Sequence, residues 1–443
     1  QITQITSGLF YGRKRMIKKD LEKIEYPAVG ECVYQTTLQN GLRLYLIPKT
    51  DFNESYAIIS TKFGSVDTRF TMDGVEGVKE FPAGIAHFLE HKLFEDQDGQ
   101  DYLQHFVRLG AESNAFTSFT QTSYLFSTTS YVNESLKLLL EMTQSLHLSK
   151  DSLKKEQSII QQEIEMYQDS PDYQLFFRAL ANLYPDTPLA QDIAGTTASL
   201  SQIDEESLQD NFDLFYQPSN MHLVVVGNFD LDSLVNLVSE FEMKTSSNPL
   251  PHISPVDLNP VVQNETSRME VASPKLAIGI RGRNQIPPMY QYRYKIILKL
   301  LFAMMFGWTS KRFQSLYEVG KLDNSLTLEI EVESSFHFVM LTMDTSEPVS
   351  ISHQFRTAIK NFEKDPDVTQ EHLDTIKSEM FGDFLHGLNS LDYIATQFNP
   401  IETGENLFDL PKILQSISLQ DVVKVGRDFV NACDMTDFII FPK

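Results

Sequence analysis

From Lys244 to Gln263 the chain carries Pro249, Pro251, Pro255 and Pro260 among Ser and Asn residues. Proline fixes φ and removes a backbone donor, so neither a helix nor a central strand is expected to run through this stretch. The 443 residues also exceed the roughly 100–200 of one ordinary domain. The expected organisation is therefore a first domain over 1–243, a linker over 244–263 and a second domain over 264–443.

The two halves share an order of elements. Val33 to Pro48 predicts two strands folded about Asn40-Gly41, a pair that readily takes the positive φ angles of a tight turn. Tyr56–Phe63 predicts a third strand and Asn114–Ser127 a fourth. Ala83–Phe94 reads as a helix, because Ile85, Phe88, Leu89 and Leu93 fall on one stripe. Further helices are expected over Gln100–Leu109, Val132–Leu146 and Lys150–Gln168, and the half closes with strand His222–Val226 and helix Leu231–Glu240. After the linker come a strand at Lys275–Arg281, a helix at Tyr290–Phe306, strands at Ser325–Glu333 and His337–Met343, helices between Val349 and Gln397, and a final strand at Phe438–Phe441. The recurrence predicts an α+β chain made of two duplicated halves.

Hydrophobic residues make up 42% and charged residues 22%, which is globular composition. Lys and Arg number 37 against 60 Asp and Glu, giving a net charge of -23 without any long basic run. Nucleic acid is thereby excluded as a partner, since phosphate binding needs a basic surface. The acidity serves solubility or the steering of basic peptides. Cys32 and Cys433 stand almost at opposite ends, so neither a disulfide scaffold nor a Cys-based metal site is available, which suits a reducing cytoplasm. Arg13, Lys14, Arg15, Lys18 and Lys19 have no apolar stretch behind them, and no long apolar run follows. Neither a signal peptide nor a membrane span is expected.

His87-Phe-Leu-Glu90-His91 puts two imidazoles four residues apart on the Ala83–Phe94 helix, on one face and within reach of one ion. Catalytic zinc typically takes three protein ligands and leaves a fourth position to water, so one ligand remains to be found. Glu156 and Glu163, seven residues apart on the Lys150–Gln168 helix, lie two turns apart on nearly one face. One could bind metal while the other orients a ligand from behind. Taken alone, such a Glu pair is more often a solvated helix face.

Gly84-Ile-Ala-His87-Phe-Leu-Glu90-His91-Lys-Leu-Phe94 resembles the zinc-binding helix of the pitrilysin and insulinase family, whose His-x-x-Glu-His order reverses that of thermolysin-like enzymes. The downstream Glu-x6-Glu matches as well. The resemblance implies two α/β-roll domains, mainly antiparallel sheet flanked by helices, forming a half-clamshell subunit whose second domain is a degenerate repeat without metal ligands. It implies one zinc ion held by His87, His91 and Glu163, with Glu156 in support and Glu90 as general base. Glu112-Ser-Asn114-Ala115-Phe116-Thr117, followed by Thr122-Ser-Tyr124, matches the family's edge strand beside the metal, to which a substrate peptide adds as an extra strand.

Gly307-Trp-Thr-Ser-Lys-Arg-Phe313-Gln-Ser-Leu316 looks like the stretch after which the family commonly carries an Arg and a Tyr that hold the substrate carbonyl. Counting forward, these positions fall on Tyr317 and Asn324. The implied arrangement is a zinc-bearing subunit whose related, zinc-free partner supplies both groups in a heterodimer. The alternatives are a homodimer, or Arg312 in place of the missing cation. The expected activity is zinc-dependent endopeptidase action on unfolded peptides. The rivals are a non-catalytic peptide-binding or assembly subunit of the same fold and a different zinc hydrolase.

Overall fold

The computed structural model describes residues 21–241, 243, 249–398 and 404–443. The basic stretch from Arg13 to Lys19 and the beginning of the linker, 244–248, lie outside the described residues. The strands in chain order are β1 (Glu22–Tyr26), β2 (Glu31–Thr37), β3 (Arg43–Pro48), β4 (Ser55–Thr61), β5 (Arg69–Met72), β6 (Val75–Glu80), β7 (Ala111–Thr117), β8 (Thr122–Thr128), β9 (Met221–Gly227), β10 (His252–Ile253), β11 (Asn264–Met269), β12 (Lys275–Gly282), β13 (Thr327–Val332), β14 (His337–Asp344) and β15 (Cys433–Pro442). Helices α1 (Ile85–Lys92), α2 (Tyr102–Arg108), α3 (Val132–Thr143), α4 (Lys150–Gln168), α5 (Pro171–Leu183), α6 (Thr197–Leu200), α7 (Glu205–Phe215) and α8 (Leu231–Glu240) belong to the first half. The second contains α9 (Pro288–Phe306), α10 (Lys311–Glu318), α11 (Pro348–Lys360), α12 (Gln370–Gly387), α13 (Leu391–Gln397), α14 (Leu410–Ser416) and α15 (Leu419–Asn431).

Strands β4 and β9 are buried at every position, so the first sheet is covered on both faces. Side chains alternate across it. Ala57 and Ile59 join the core beneath α1 and α3, while Tyr56 and Ile58 join a core built mostly from the second half. The sheet order is β1-β2-β3-β9-β4-β8-β7, and the second sheet runs β11-β15-β12-β14-β13. From β3 to β7 and from β11 to β13 the same order and directions recur, with one parallel pair (β3 with β9, β11 with β15) and otherwise antiparallel neighbours. The fold is the expected mixed α+β architecture of antiparallel-rich sheets flanked by helices.

The halves exchange a helix. α5 lies on β12 and β15 of the second sheet, where Leu175, Ala179, Leu180 and Leu183 pack with Ala277, Phe338, Met340, Phe438 and Ile440. Leu183 comes so close to Gly279 that a Cβ there would lie 2.9 Å from its Cδ1. In return α13 lies on β4 and β9, and its Leu391, Ile394 and Ala395 share a core with Tyr45, Tyr56, Ile58, Val224 and Val226.

Two expectations change in detail. Asn114–Ser127 is not one strand but the hairpin of β7 and β8. Its turn is closed by Ser118, whose backbone N–H and hydroxyl both donate to the Gln121 carbonyl, and no Gly or Pro in Ser118–Gln121 announces it. Within the linker, His252 and Ile253 form a two-residue strand against β5, where an edge position tolerates the neighbouring prolines. No helix among the described residues is long and apolar enough to cross a membrane.

Truncating an exchanged helix is expected to destabilise the whole chain. Leu180→Ala on α5 and Ile394→Ala on α13, both fully buried, should each cost about 2–5 kcal/mol. In equilibrium urea unfolding both sheets should be lost in one transition.

Candidate active site

Helix α1 is short because both ends are fixed from outside. It starts at Gly84, whose φ of 90° is left-handed and where a Cβ would lie 2.4 Å from the Ala194 carbonyl oxygen. Only glycine fits such a position without strain. At the other end Lys92, fully buried, donates to Glu95 Oε2 at 2.7 Å and contacts Ser152 in the first turn of α4. Ser152 also donates to Glu95 Oε2, at 2.5 Å. These contacts set α1 against α4.

On the facing sides of the two helices the residues singled out in the sequence meet. The His87 and His91 rings lie with centroids 4.6 Å apart. Glu163 Oε2 is 3.7 Å from His87 Nε2 and 3.4 Å from His91 Nε2. His91 Nδ1 donates to Glu156 Oε1 at 2.9 Å, which leaves Nε2 of the neutral ring as a lone-pair donor. Ligand atoms of His87, His91 and Glu163 all lie within 4.8 Å of one another, so these three could hold a metal ion. Zinc bonds of about 2.0–2.2 Å in a tetrahedron place neighbouring ligand atoms about 3.3–3.6 Å apart, close to the 3.7 and 3.4 Å that separate Glu163 from the two histidines. Two imidazoles and a carboxylate suit zinc in chemistry as well. His87 Nδ1, the ring nitrogen other than the one nearest Glu163, is buried without a hydrogen-bond partner among the described residues.

The charges of this cluster arrange themselves around His91. Burial, followed by the neighbouring His91 charge, pulls His87 down to about 4. Burial also pulls His91 down, but its hydrogen bonds to Glu156 and Glu163 outweigh this and carry it up to about 9. The bond from His91 lowers Glu163 to about 2. Glu90, on the same helix, is raised by burial, against which a hydrogen bond from Thr117 works. Thr117 Oγ1 donates to Glu90 Oε2 at 2.5 Å.

Strand β7 is an edge: it pairs with β8 on one side and with no other strand among the described residues. Asn114 is exposed, with its Oδ1 on the Ala115 N–H. Ala115 packs towards the first core and Phe116 towards the core shared with the second half. Beyond Thr117 the turn residues Ser118, Thr120 and Gln121 line a cavity of about 1050 Å³, which continues to Lys295, Glu331 and Glu333 of the second half. None of the candidate metal ligands lines it.

Tyr317 lies half-exposed on α10, stacked on Phe313, and Asn324 is exposed ahead of β13. Arg312 binds Asp365 at 2.6 Å and the Met305 carbonyl at 3.0 Å, with its guanidinium over the Phe306 ring. It is thus committed to packing within the second half. Sequence reading passed over Tyr167, which hydrogen-bonds Glu163 and stacks on Tyr173 with centroids 4.5 Å apart. The signal was present: Tyr167 stands four residues after Glu163 on the same helix.

Residues 79–197, which include His87, Glu90, His91, Glu156 and Glu163, match the model of Insulinase (Peptidase family M16). Residues 202–380 match that of the peptidase M16 inactive domain. The uncharacterized zinc protease YmfH of Bacillus subtilis is 36% identical over 429 residues, covering 96% of this chain and 100% of its own length. An M16-like peptidase from Alicyclobacillus acidocaldarius has a similar crystal structure, with a TM-score of 0.85 and 27% identity over 96% of this chain and 99% of that one. The periplasmic protease PqqL from Escherichia coli shares the fold, with a TM-score of 0.66 and 16% identity, but there the match covers 96% of this chain and only 48% of PqqL. The chain belongs to the insulinase family, peptidase family M16.

Zinc binding should release a proton. With His91 at about 9 in the metal-free site, its proton must leave before Nε2 can serve as a donor. Apparent zinc affinity should therefore rise with pH and level off above about 9. Calorimetry near pH 7.5 in buffers of different ionisation enthalpy should find close to one proton released. Glu156→Ala should weaken zinc binding by about 10–100-fold in the same assay.

Proposed function

We propose that this chain is a zinc-dependent endopeptidase subunit that cleaves unfolded peptides. His87, His91 and Glu163 hold one zinc ion, Glu156 orients His91, and Glu90 is the general base. The observation that carries this reading is the convergence of three donors from two separate helices beside a buried carboxylate and an open strand edge. When bound, zinc supplies a more acidic water and a polarised scissile carbonyl. Asn114, Ala115, Phe116 and Thr117 receive the peptide as an added strand, held first by its backbone. The cavity past the end of β7 gives room for the peptide beyond the site. Glu90 takes a proton from the attacking water at Oε1, the oxygen that Thr117 does not engage, and passes it to the leaving nitrogen. A purely peptide-binding subunit would need neither the donor set nor the base.

The transition-state groups come from a partner. Neither Tyr317 nor Asn324 replaces an Arg and Tyr pair, Arg312 is engaged elsewhere, and a missing oxyanion donor typically costs about 100–1000-fold in rate. PqqL, about twice this chain's length, supports a larger assembly. A related zinc-free chain is the favoured partner, with a homodimer as fallback. The division at 244–263, with α5 and α13 exchanged across it, and a cytoplasmic setting for Cys32 and Cys433, which form no disulfide, belong to the same reading.

Glu90→Gln should retain zinc by elemental analysis and lose peptide cleavage, whereas His91→Ala should lose both. Bound zinc unchanged in His91→Ala would overturn the ligand assignment. Full cleavage by the isolated monomer, with nothing gained on adding a related chain, would overturn the pairing.

A further inference from the structure

Thr117 ends strand β7 and faces Thr122, the first residue of β8, in the last pair of the hairpin. Its hydroxyl has one proton, and that proton goes to Glu90 Oε2 over 2.5 Å. The Thr122 hydroxyl is the poorer acceptor for it, neutral and 3.4 Å away against 2.5 Å for the carboxylate, and it gives its own proton to the Phe63 carbonyl at 2.7 Å. Phe63 is fully buried and stacked on Phe215 at 4.1 Å, so the pair that holds Thr117 is anchored in the core. Glu90 therefore receives a neutral donor from a rigid strand end, on an oxygen that leaves the other free.

We infer that Thr117 is a positioning residue for the base: its hydroxyl fixes the Glu90 carboxylate, and through it the strand that receives the peptide also aligns the group that takes the proton. This rests on the peptidase reading above and deepens it. Among Asn114, Ala115, Phe116 and Thr117, the last has its side chain committed to the base, while the strand's backbone edge remains for the peptide. A neutral hydroxyl suits the task because it orders a carboxylate without neutralising it, as a Lys or Arg at this place would.

Thr117→Val keeps the branched shape that β7 favours and removes only the hydroxyl, whereas Thr117→Ser keeps the hydroxyl and removes the methyl group. With zinc-loaded protein and its partner, Thr117→Val should lower kcat by about 10–100-fold, as expected for a misplaced base. KM and zinc content should stay unchanged, and Thr117→Ser should recover most of the rate. Crystal structures of the variants supply a readout besides activity: Glu90 should leave its position in Thr117→Val and regain it in Thr117→Ser. Glu90 unmoved in Thr117→Val, or Thr117→Ser as slow as Thr117→Val, overturns the inference. If Thr117→Val fails to fold, Thr117→Ala takes its place in each comparison. A wild-type chain that cleaves no peptide with any partner sinks the peptidase reading instead, and the position of Glu90 in the crystals still decides whether Thr117 holds it.

Discussion

The site depends on one spacing, that between α1 and α4. His91 reaches Glu156 through one ring nitrogen and Glu163 through the other, so α1 must sit close enough to α4 for one imidazole to span two carboxylates two turns apart on that helix. Nothing in α1 itself can enforce this, since it has eight residues. The constraint comes from its ends, where Gly84 lets the backbone press against Ala194 and Lys92 joins Glu95 and Ser152. A buried ammonium with two oxygen partners is costly to break, which makes the last turn of α1 a fixed point.

Burial and charge then divide the labour between two histidines of one motif. His87, the more buried, stays neutral and ready as a donor, while His91, flanked by two carboxylates, keeps its proton until something with more positive charge displaces it. The proton on His91 offsets the charge of its two carboxylates, and it must leave before Nε2 can serve as a ligand. The same balance applies to Glu90, where burial alone would favour the neutral acid and the Thr117 hydroxyl works the other way.

What was legible in the sequence is what rests on local periodicity. Lys150–Gln168 and Leu231–Glu240 begin and end as read, since Ser149 and Asp230 cap them and their apolar stripes are regular. The inverted motif was legible because four residues on a helix make a common face whatever lies around it. The destination of a stripe was not. α5 lies in the stretch assigned to the first domain and no helix was predicted there, yet its partner strands β12 and β15 begin 92 and 250 residues past its end, at Lys275 and Cys433, and periodicity says that a face is buried without saying against what. The Ser118–Gln121 turn was missed because it uses a side-chain hydroxyl in place of Gly or Pro. Thr117 was read as part of the substrate strand because a hydroxyl at a strand end looks the same from sequence whether it meets solvent or a carboxylate.

The exchange of α5 and α13 has a consequence for synthesis. A chain emerging from the ribosome completes the last strand of its first sheet, β9, at Gly227, but α13, which covers Tyr56, Ile58, Val224 and Val226, begins only at Leu391. Over that interval of translation the nascent first sheet presents a naked aromatic and aliphatic face, while α5 waits for strands that do not yet exist. Such a surface is a target for cellular chaperones, and the final docking of α13 acts as the clasp that closes the molecule.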